Sequence, residues 1–243
     1  MMNFENIKLV TFDLGYTLVY NERVEDYLAY LRHKGLDRSK DEVDLAFHLA
    51  DKMFMRDYPG VFGHAPETYM PWYIGTVNYR LRFRFNLFEQ VQFFIEQAQN
   101  KPFWKLFPHT KKVLETLKRE GYELGLLSNW DKSCRKLLAS LGIDDYFDYI
   151  YVSSEVGSGK PDAKMFELLL KESGYLPEEV LYVGDNYYDD VIGAGKAGIQ
   201  TIVLNRFGHK GVEELTDCII VPSTMEVVSL LQGEQSLEEY IVK

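Results

Sequence analysis

The chain has 243 residues, of which 46% are hydrophobic and 26% charged, so a full hydrophobic core can form and extensive disorder is excluded. A formal net charge of −10 argues against nucleic acid as a general partner, because binding a phosphate backbone requires a basic surface. The two cysteines, Cys134 and Cys218, exclude a disulfide framework. With no signal-like N-terminus and no apolar run of membrane-spanning length, we expect a cytoplasmic protein without a membrane partner.

The first predicted element is a short buried strand, residues 8–12, that ends at an aspartate. The strand is apolar and rich in β-forming residues, and Asp13 follows it directly. A carboxylate in this position must be paired, hydrogen-bonded or bound to a metal. Gly15 then permits a sharp turn and a close approach of the backbone to a ligand. Taken alone, the pattern also fits an ordinary Asp-Gly turn after an edge strand.

Residues 18–105 change to a helical pattern and interrupt the strand–helix alternation of the rest of the chain. Capping residues predict three helix starts: Asn21, the pair Ser39 and Glu42, and the pair Asn86 and Glu89. Residues 71–85 contain a short alternation of arginine and apolar residues, which is a strand period. Because helices flank them on both sides, we predict a helix there and an all-helical insertion over residues 18–105.

The insertion carries aromatic and basic residues that are candidates for lining a substrate pocket: Trp72, Tyr73, Tyr79, Arg80, Arg82 and Arg84. A simpler interpretation is that the aromatic residues form the core of the insertion and the arginines are solvated. The histidines His33, His48 and His64 lack the spacing of metal ligands. Lys52 lies on a predicted helix, where a lysine is usually solvated.

Residues 106–243 alternate between helices and strands. Strands are predicted at residues 123–127, 149–152, 180–183, 201–204 and 218–221, with helices between them. This alternation is typical of a parallel sheet covered by helices on both faces. The sequence therefore predicts an α/β core from residues 1–17 and 106–243.

Four of the predicted strands deliver polar side chains to one edge of the sheet. Asp13, Ser128 and Asp185 end their strands, and Lys160 comes shortly after its own. In open parallel sheets, ligands bind beyond the carboxyl ends of the strands. Two carboxylates, a hydroxyl and an ammonium group suit Mg2+ together with a phosphoryl group. Each motif alone is a common turn, but their shared order and position form a specific signal.

These motifs resemble those of the haloacid dehalogenase-like hydrolases, a superfamily dominated by Mg2+-dependent phosphatases. The resemblance rests on four motifs in order: Asp13-Leu14-Gly15-Tyr16-Thr17, Ser128-Asn129, Lys160-Pro161, and Gly184-Asp185 with Asp189-Asp190. The helical insertion follows the first motif, as in that family. The resemblance covers nearly the whole chain and implies a Rossmann-like core with an inserted helical cap domain.

The resemblance also implies roles for the residues that act on the substrate. Asp13 would be the nucleophile that forms an aspartyl-phosphate. Ser128 and Asn129 would bind the phosphoryl group. Lys160 would be both a catalytic and a phosphate-binding residue, because it balances charge between Asp13 and the phosphoryl oxygens.

The resemblance also implies a site for Mg2+ beside the substrate. Asp13 and Asp185 would each give a carboxylate oxygen, and Gly15 its backbone carbonyl. Asp189 or Asp190 would support the water shell of the metal, and the spacing fits both. This last pair also fits the N-cap of the next helix.

One position departs from the pattern of the family phosphatases, which carry a second aspartate where this chain has Gly15. That aspartate protonates the leaving group and then activates water, and such help is typically worth about 10²–10⁴-fold in rate. Tyr16 follows where the family usually has glycine, and its hydroxyl, with a pKa of about 10, is a poor acid at neutral pH. We expect a Mg2+-dependent phosphatase of a small phosphorylated or otherwise anionic metabolite, with weakened general acid–base catalysis.

Three alternatives stay open at this point. The insertion can supply the missing acid, with Glu22, Glu25, Asp26 and His64 as candidates. A different reaction is possible: dehalogenases of the family lack the second aspartate but order Tyr before Gly, and its phosphonate-cleaving members use a cap lysine, for which Lys52 is the candidate. A catalytically idle binding protein is the third alternative, although the retention of Asp13, Lys160 and Asp185 argues against it.

Overall fold

The computed structural model describes residues 4–98, 104–235 and 240; residues 1–3, 99–103, 236–239 and 241–243, which the two predicted domains include, lie outside the described residues. The chain forms two compact units, Met1–Tyr20 with Leu106–Lys243, and Asn21–Lys105. In the described parts of the chain, no helix is both long enough and apolar enough to cross a membrane.

The division between the units falls three residues later than the sequence predicts. Leu18 lies in the first unit because its carbonyl accepts hydrogen bonds from the backbone N–H of Phe107 at 3.0 Å and the hydroxyl of Thr110 at 2.8 Å. The assignment of the second unit as a cap domain stays a prediction.

A six-stranded parallel sheet forms the centre of the first unit. The strands of the described residues, in chain order, are β1 (Leu9–Phe12), β2 (Val19–Asn21), β3 (Trp104–Leu106), β4 (Glu123–Ser128), β5 (Tyr149–Val152), β6 (Val180–Gly184), β7 (Gln200–Leu204) and β8 (Ile219–Val221). Of these, β2 and β3 pair with each other in a separate two-stranded sheet. The sheet order is β5-β4-β1-β6-β7-β8, and every neighbouring pair is parallel. β1 and β6 are buried along their whole length, as expected for strands covered on both faces. The predicted α/β class is confirmed.

Helices connect these strands and make up most of the second unit. They are α1 (Arg23–His33), α2 (Lys40–Asp57), α3 (Met70–Arg80), α4 (Leu87–Ala98), α5 (Thr110–Arg119), α6 (Cys134–Leu141), α7 (Ser153–Val156), α8 (Lys164–Ser173), α9 (Ile192–Lys196) and α10 (Thr224–Leu231). A five-residue π-helix, Tyr187–Val191, precedes α9. Such π-helical turns are frequent at functional sites.

The predicted helix starts in the second unit are correct in two of three cases. Ser39 and Glu42 form the expected capping box of α2, and the Asn86 side chain accepts the backbone N–H of Phe88 at 3.0 Å. In α1, which begins at Arg23, the N-cap position is Glu22 and not the predicted Asn21, which is the last residue of β2; the Asn21 side chain still accepts the backbone N–H of Arg23 at 3.4 Å.

The helix predicted over residues 71–85 is wrong beyond Arg80, where α3 ends. Arg82 adopts a left-handed conformation with φ of 61°, which an α-helix does not accept. Residues 81–85 of the alternating segment are therefore neither a helix nor a strand.

The aromatic residues of the second unit divide between its core and its surface. Tyr73 packs in the hydrophobic core with Phe47 and Phe54, whereas Trp72 is 61% exposed and Tyr79 is 83% exposed. Arg80, Arg82 and Arg84 are exposed, in agreement with the solvated interpretation. The expectation that Lys52 is solvated is wrong: it is 5% exposed, and its ammonium lies 3.6 Å from the sulfur of Met55.

Candidate active site

Asp13 and Ser128 meet at the carboxyl edge of the sheet because their strands are neighbours. Asp13 follows β1, and its backbone N–H donates to the carbonyl of Val183 in β6 at 2.9 Å. Ser128 ends β4, which pairs with β1 on the other side. The Ser128 hydroxyl donates to Oδ1 of Asp13 at 3.3 Å. Both side chains are buried, so the pair forms part of the floor of the site.

Lys160 joins this pair and brings a second carboxylate to it. Its ammonium donates to Oδ1 of Asp13 at 2.7 Å and to Oδ1 of Asp190 at 2.6 Å. Lys160 is only 5% exposed. A buried ammonium requires such partners, because an unpaired buried charge is very costly. Asp13, Ser128 and Lys160 are thus together, as their motifs predict, although their catalytic roles stay predictions.

The pKa values in this cluster shift for identifiable reasons. Burial raises the pKa of Asp13, and Asp190 raises it as well, while the ammonium of Lys160 opposes the rise. Burial would lower the pKa of Lys160, but the two carboxylates outweigh burial and raise it well above its usual value. Lys160 therefore stays charged at neutral pH and holds the nearby carboxylates in place.

Asn129 holds the backbone of Lys160 through two hydrogen bonds. Its amide nitrogen donates to the Lys160 carbonyl, and its amide oxygen accepts the Lys160 N–H, both at 2.8 Å. A Cβ at Gly159 would lie 2.7 Å from this amide oxygen, so glycine is needed for the approach. The described contacts make Asn129 a residue that positions Lys160, and its predicted role as a phosphate ligand stays a prediction.

The two candidate acids Asp189 and Asp190 have different partners. Asp190 bonds Lys160, and its other oxygen accepts the backbone N–H of Asn186 at 2.9 Å. Asp189 accepts the side-chain amide of Asn186 at 2.9 Å. The alternative that this pair forms the N-cap is wrong, because the Asn186 side chain caps the π-helix. A Cβ at Gly184 would lie 2.1 Å from Oδ2 of Asp190, so a side chain there would displace that carboxylate.

Tyr182 is a further site residue, which no sequence motif marks. It lies in β6, and its hydroxyl accepts the third hydrogen bond of the Lys160 ammonium at 2.8 Å. The same hydroxyl donates to the carbonyl of Leu127 in β4 at 3.0 Å. Burial raises the pKa of Tyr182 well above its usual value, so the phenol stays protonated. A signal existed in the sequence, because a tyrosine inside an aliphatic buried strand must find a polar partner.

Replacing Tyr182 by phenylalanine is expected to loosen Lys160 without removing its charge. Tyr182→Phe leaves one ammonium proton and the Leu127 carbonyl without their described partner, which costs about 1–3 kcal/mol in the free energy of unfolding. Turnover should fall about tenfold with little change in KM, if the ammonium moves relative to Asp13. Urea unfolding and steady-state kinetics measure both. Tyr151→Phe, in β5, is the matched control, and equal effects of the two variants would exclude a positioning role.

The residues expected to hold a metal agree with the donor chemistry that Mg2+ prefers. Asp185 follows β6 directly and is half-buried, and Gly15 lies two residues after Asp13. The carboxylates of Asp13 and Asp190 are buried, and they share the single ammonium of Lys160. This excess of negative charge fits a cation. Within the described residues, no group of three or more His, Cys, Asp and Glu side chains forms a metal-binding cluster, so the expected set depends on two carboxylates and one carbonyl.

The parallel sheet with paired polar residues at its carboxyl edge makes this an α/β protein with a candidate active site at the strand ends. Comparison with known proteins identifies the family. Residues 75–204, a little more than half of the chain, match the model of the haloacid dehalogenase-like hydrolase family. The chain belongs to this family, so the resemblance is confirmed. The matched residues include the Ser128, Lys160 and Asp185 motifs and exclude Asp13, whose assignment depends on its place at the end of β1.

Two curated relatives and one solved structure illustrate the similarity. A glyceraldehyde 3-phosphate phosphatase of Methanothermobacter thermautotrophicus is 39% identical over 105 residues, 41% of this chain and 44% of that protein. A phosphoserine phosphatase of Thermus thermophilus is 34% identical over 119 residues, 49% of this chain and 47% of that protein. The chain thus spans about half the length of these relatives. A phosphatase structure from Thermococcus onnurineus is 25% identical with a TM-score of 0.59, covering 95% of this chain and all of that one.

Proposed function

We propose that the protein is a Mg2+-dependent phosphatase that acts on a small phosphorylated metabolite in the cytoplasm through an aspartyl-phosphate on Asp13. The observation that carries the proposal is the buried cluster in which one ammonium, that of Lys160, bonds Asp13 and Asp190 while Ser128 bonds Asp13. Two curated relatives named as phosphatases of small metabolites support the substrate class.

The chemistry assigned to the cluster is a two-step transfer. A carboxylate oxygen of Asp13 attacks phosphorus, and the leaving oxygen departs with the electron pair of its bond. Ser128 and Lys160 then hydrogen-bond the phosphoryl oxygens, and water cleaves the aspartyl-phosphate to release inorganic phosphate. Because Lys160 is already oriented by Asp190 and Tyr182, little reorganisation is required as charge moves.

A bound Mg2+ would be held by the carboxylates of Asp13 and Asp185 and by the carbonyl of Gly15. It supplies neutralisation of charge on the transferring phosphoryl group. Gly15 offers its carbonyl as well as any residue does, so the metal function does not require the second aspartate of the family. What Gly15 does not offer is a proton for the leaving group.

The proposal is tested most directly by the absence of a general acid at position 15. Without it, the rate should depend steeply on the pKa of the leaving group, with acyl and aryl phosphates far ahead of alkyl phosphates such as glyceraldehyde 3-phosphate. A series of aryl phosphates, assayed with Mg2+ and with EDTA, measures this slope. Metal-independent rates would contradict the proposal, and a flat slope with full activity on alkyl phosphates would show that an acid comes from elsewhere in the chain.

Restoring the family's acid should reverse part of this selectivity. A Cβ at Gly15 would lie 3.5 Å from the Trp130 ring, which is ordinary contact, and Gly15 does not have a positive φ. Gly15→Asp is therefore expected to fold and to raise kcat on alkyl phosphates about tenfold, a fraction of the usual worth of general acid catalysis. Gly15→Asn, which adds the same bulk without the acid, is the control. Equal rates in the two variants would contradict the acid argument.

A phosphonate-cleaving reaction is the second candidate, and the burial of Lys52 favours it. A buried lysine side chain is sheltered from water, which favours formation of a Schiff base with a carbonyl substrate. Borohydride reduction in the presence of phosphonoacetaldehyde would trap an adduct, which mass spectrometry assigns to Lys52 or another lysine. Absence of an adduct on Lys52 would remove this candidate.

A further inference from the structure

The indole ring of Trp130 lies against the position from which the second aspartate is missing. A Cβ at Gly15 would lie 3.5 Å from Cζ3 of Trp130. The contact extends the neighbouring pair at the floor of the site, because Gly15 lies two residues after Asp13 and Trp130 two residues after Ser128. The six-membered ring of the indole thus approaches the loop after Asp13 at the position of Gly15.

Trp130 is fixed at both its backbone and its ring. Its N–H donates to the hydroxyl of Ser153 at 3.0 Å, and its carbonyl accepts the N–H of Ser154 at 3.3 Å. The indole N–H donates to the Ser133 hydroxyl at 3.2 Å. The ring is half-buried, so part of it remains available for contact. An aromatic ring held in this way is a preformed surface for a flat ligand.

The backbone of the same loop holds a second aromatic residue in an unfavourable conformation. Tyr16 has φ of 55°, in the left-handed region that glycine adopts freely and a bulky residue seldom does. Its N–H donates to the carbonyl of Val19 at 2.7 Å, which fixes the turn. Glycine would be the relaxed choice at position 16, so the tyrosine adopts this conformation against the preference of its residue type, and such outliers cluster at functional sites.

We propose that Trp130, with Gly15 beneath it, forms an aromatic wall that selects phosphate esters with an aromatic leaving group. The inference deepens the phosphatase function proposed above and rests on it. Aryl and acyl phosphates both release stable anions, but only an aryl group gains from stacking on the indole. Gly15 leaves the ring uncovered, and Tyr16 is the next side chain along the same loop.

The test compares an aromatic with a non-aromatic activated substrate. Trp130→Ala should lower kcat/KM for phenyl phosphate about tenfold more than for acetyl phosphate, the size expected from one lost aromatic pair. Trp130→Phe, which keeps an aromatic face, should recover most of that ratio. Phe88→Ala removes an aromatic residue that is 87% exposed and should leave both substrates unchanged.

Positions 15 and 130 should also be coupled. In Gly15→Asp the new carboxylate lies beside the indole of Trp130. The double variant, Gly15→Asp with Trp130→Ala, has the carboxylate but lacks the indole. Activity on glyceraldehyde 3-phosphate should then exceed the product of the two single effects by about threefold, which a double-mutant cycle measures. Strictly multiplicative effects would contradict a shared subsite.

The outcomes separate this inference from the function on which it rests. If wild-type protein hydrolyses neither substrate with Mg2+, the phosphatase proposal fails. If it hydrolyses acetyl phosphate and Trp130→Ala changes both substrates equally, the phosphatase stands and the aromatic wall is overturned. Circular dichroism and urea unfolding of each variant exclude loss of folding as the cause.

Discussion

Asp13→Asn is expected to abolish turnover on every substrate, by at least about 10³-fold in kcat. The amide is isosteric with the carboxylate but is not a nucleophile toward phosphorus, so no aspartyl-phosphate forms. Phosphate release from phenyl phosphate and acetyl phosphate, measured with Mg2+ at a saturating concentration, gives the comparison.

The variant is expected to remain folded, which makes the loss of turnover interpretable. Burial raises the pKa of Asp13, so the fold disfavours the charged form that the substitution removes. Lys160 keeps its hydrogen bond to Asp190. Asp145→Asn, at an exposed position, is the matched control and should retain full activity. Turnover by Asp13→Asn at the wild-type rate would refute Asp13 as the nucleophile.

The sequence was informative about this site because topology places strand ends together. Asp13 and Ser128 follow neighbouring parallel strands, so reading those strands correctly was enough to predict their contact. Lys160 is not on a strand end, yet it reaches the same carboxylate through a backbone that Asn129 holds. Strand periodicity and the order of the motifs are therefore enough to predict that these residues lie at the same edge of the sheet.

Other features depended on packing, which a sequence does not display. Tyr182 reads as one more buried strand residue until the position of the Lys160 ammonium is known. Lys52 is on a helix face that the tertiary fold covers, so its burial could not be inferred from helical spacing. Tyr16 adopts a left-handed φ in the turn although its residue type argues against it. In each case a tertiary contact or turn overrides the local preference.

The substitution Lys160→Met is expected to cost more stability than any other single change in the cluster. It removes the cation that bonds two buried carboxylates, and leaving a buried charge without its partner costs about 3–5 kcal/mol in the free energy of unfolding. Turnover should be lost as well. Lys171→Met, at an exposed position on α8, is the control and should change stability little.

The loss of stability in Lys160→Met should grow as the pH rises. Without the ammonium the pKa of Asp13 rises further, since the interaction that lowers it is gone. A carboxyl group whose pKa is higher in the folded state than its unfolded value of about 3.9 gives stability that is present at low pH and lost as the pH rises through the folded pKa. In the wild type, the pKa of Lys160 is raised, so its ammonium stays charged and its contribution to the free energy of unfolding is complete at all pH values below about 10.4. This contribution therefore does not vary between pH 5 and pH 8. Urea unfolding at about pH 5 and about pH 8 should therefore show a larger deficit at the higher pH. The double variant Lys160→Met with Asp190→Asn should recover part of it, and a deficit that does not change with pH would contradict a further rise in the pKa of Asp13 in the variant.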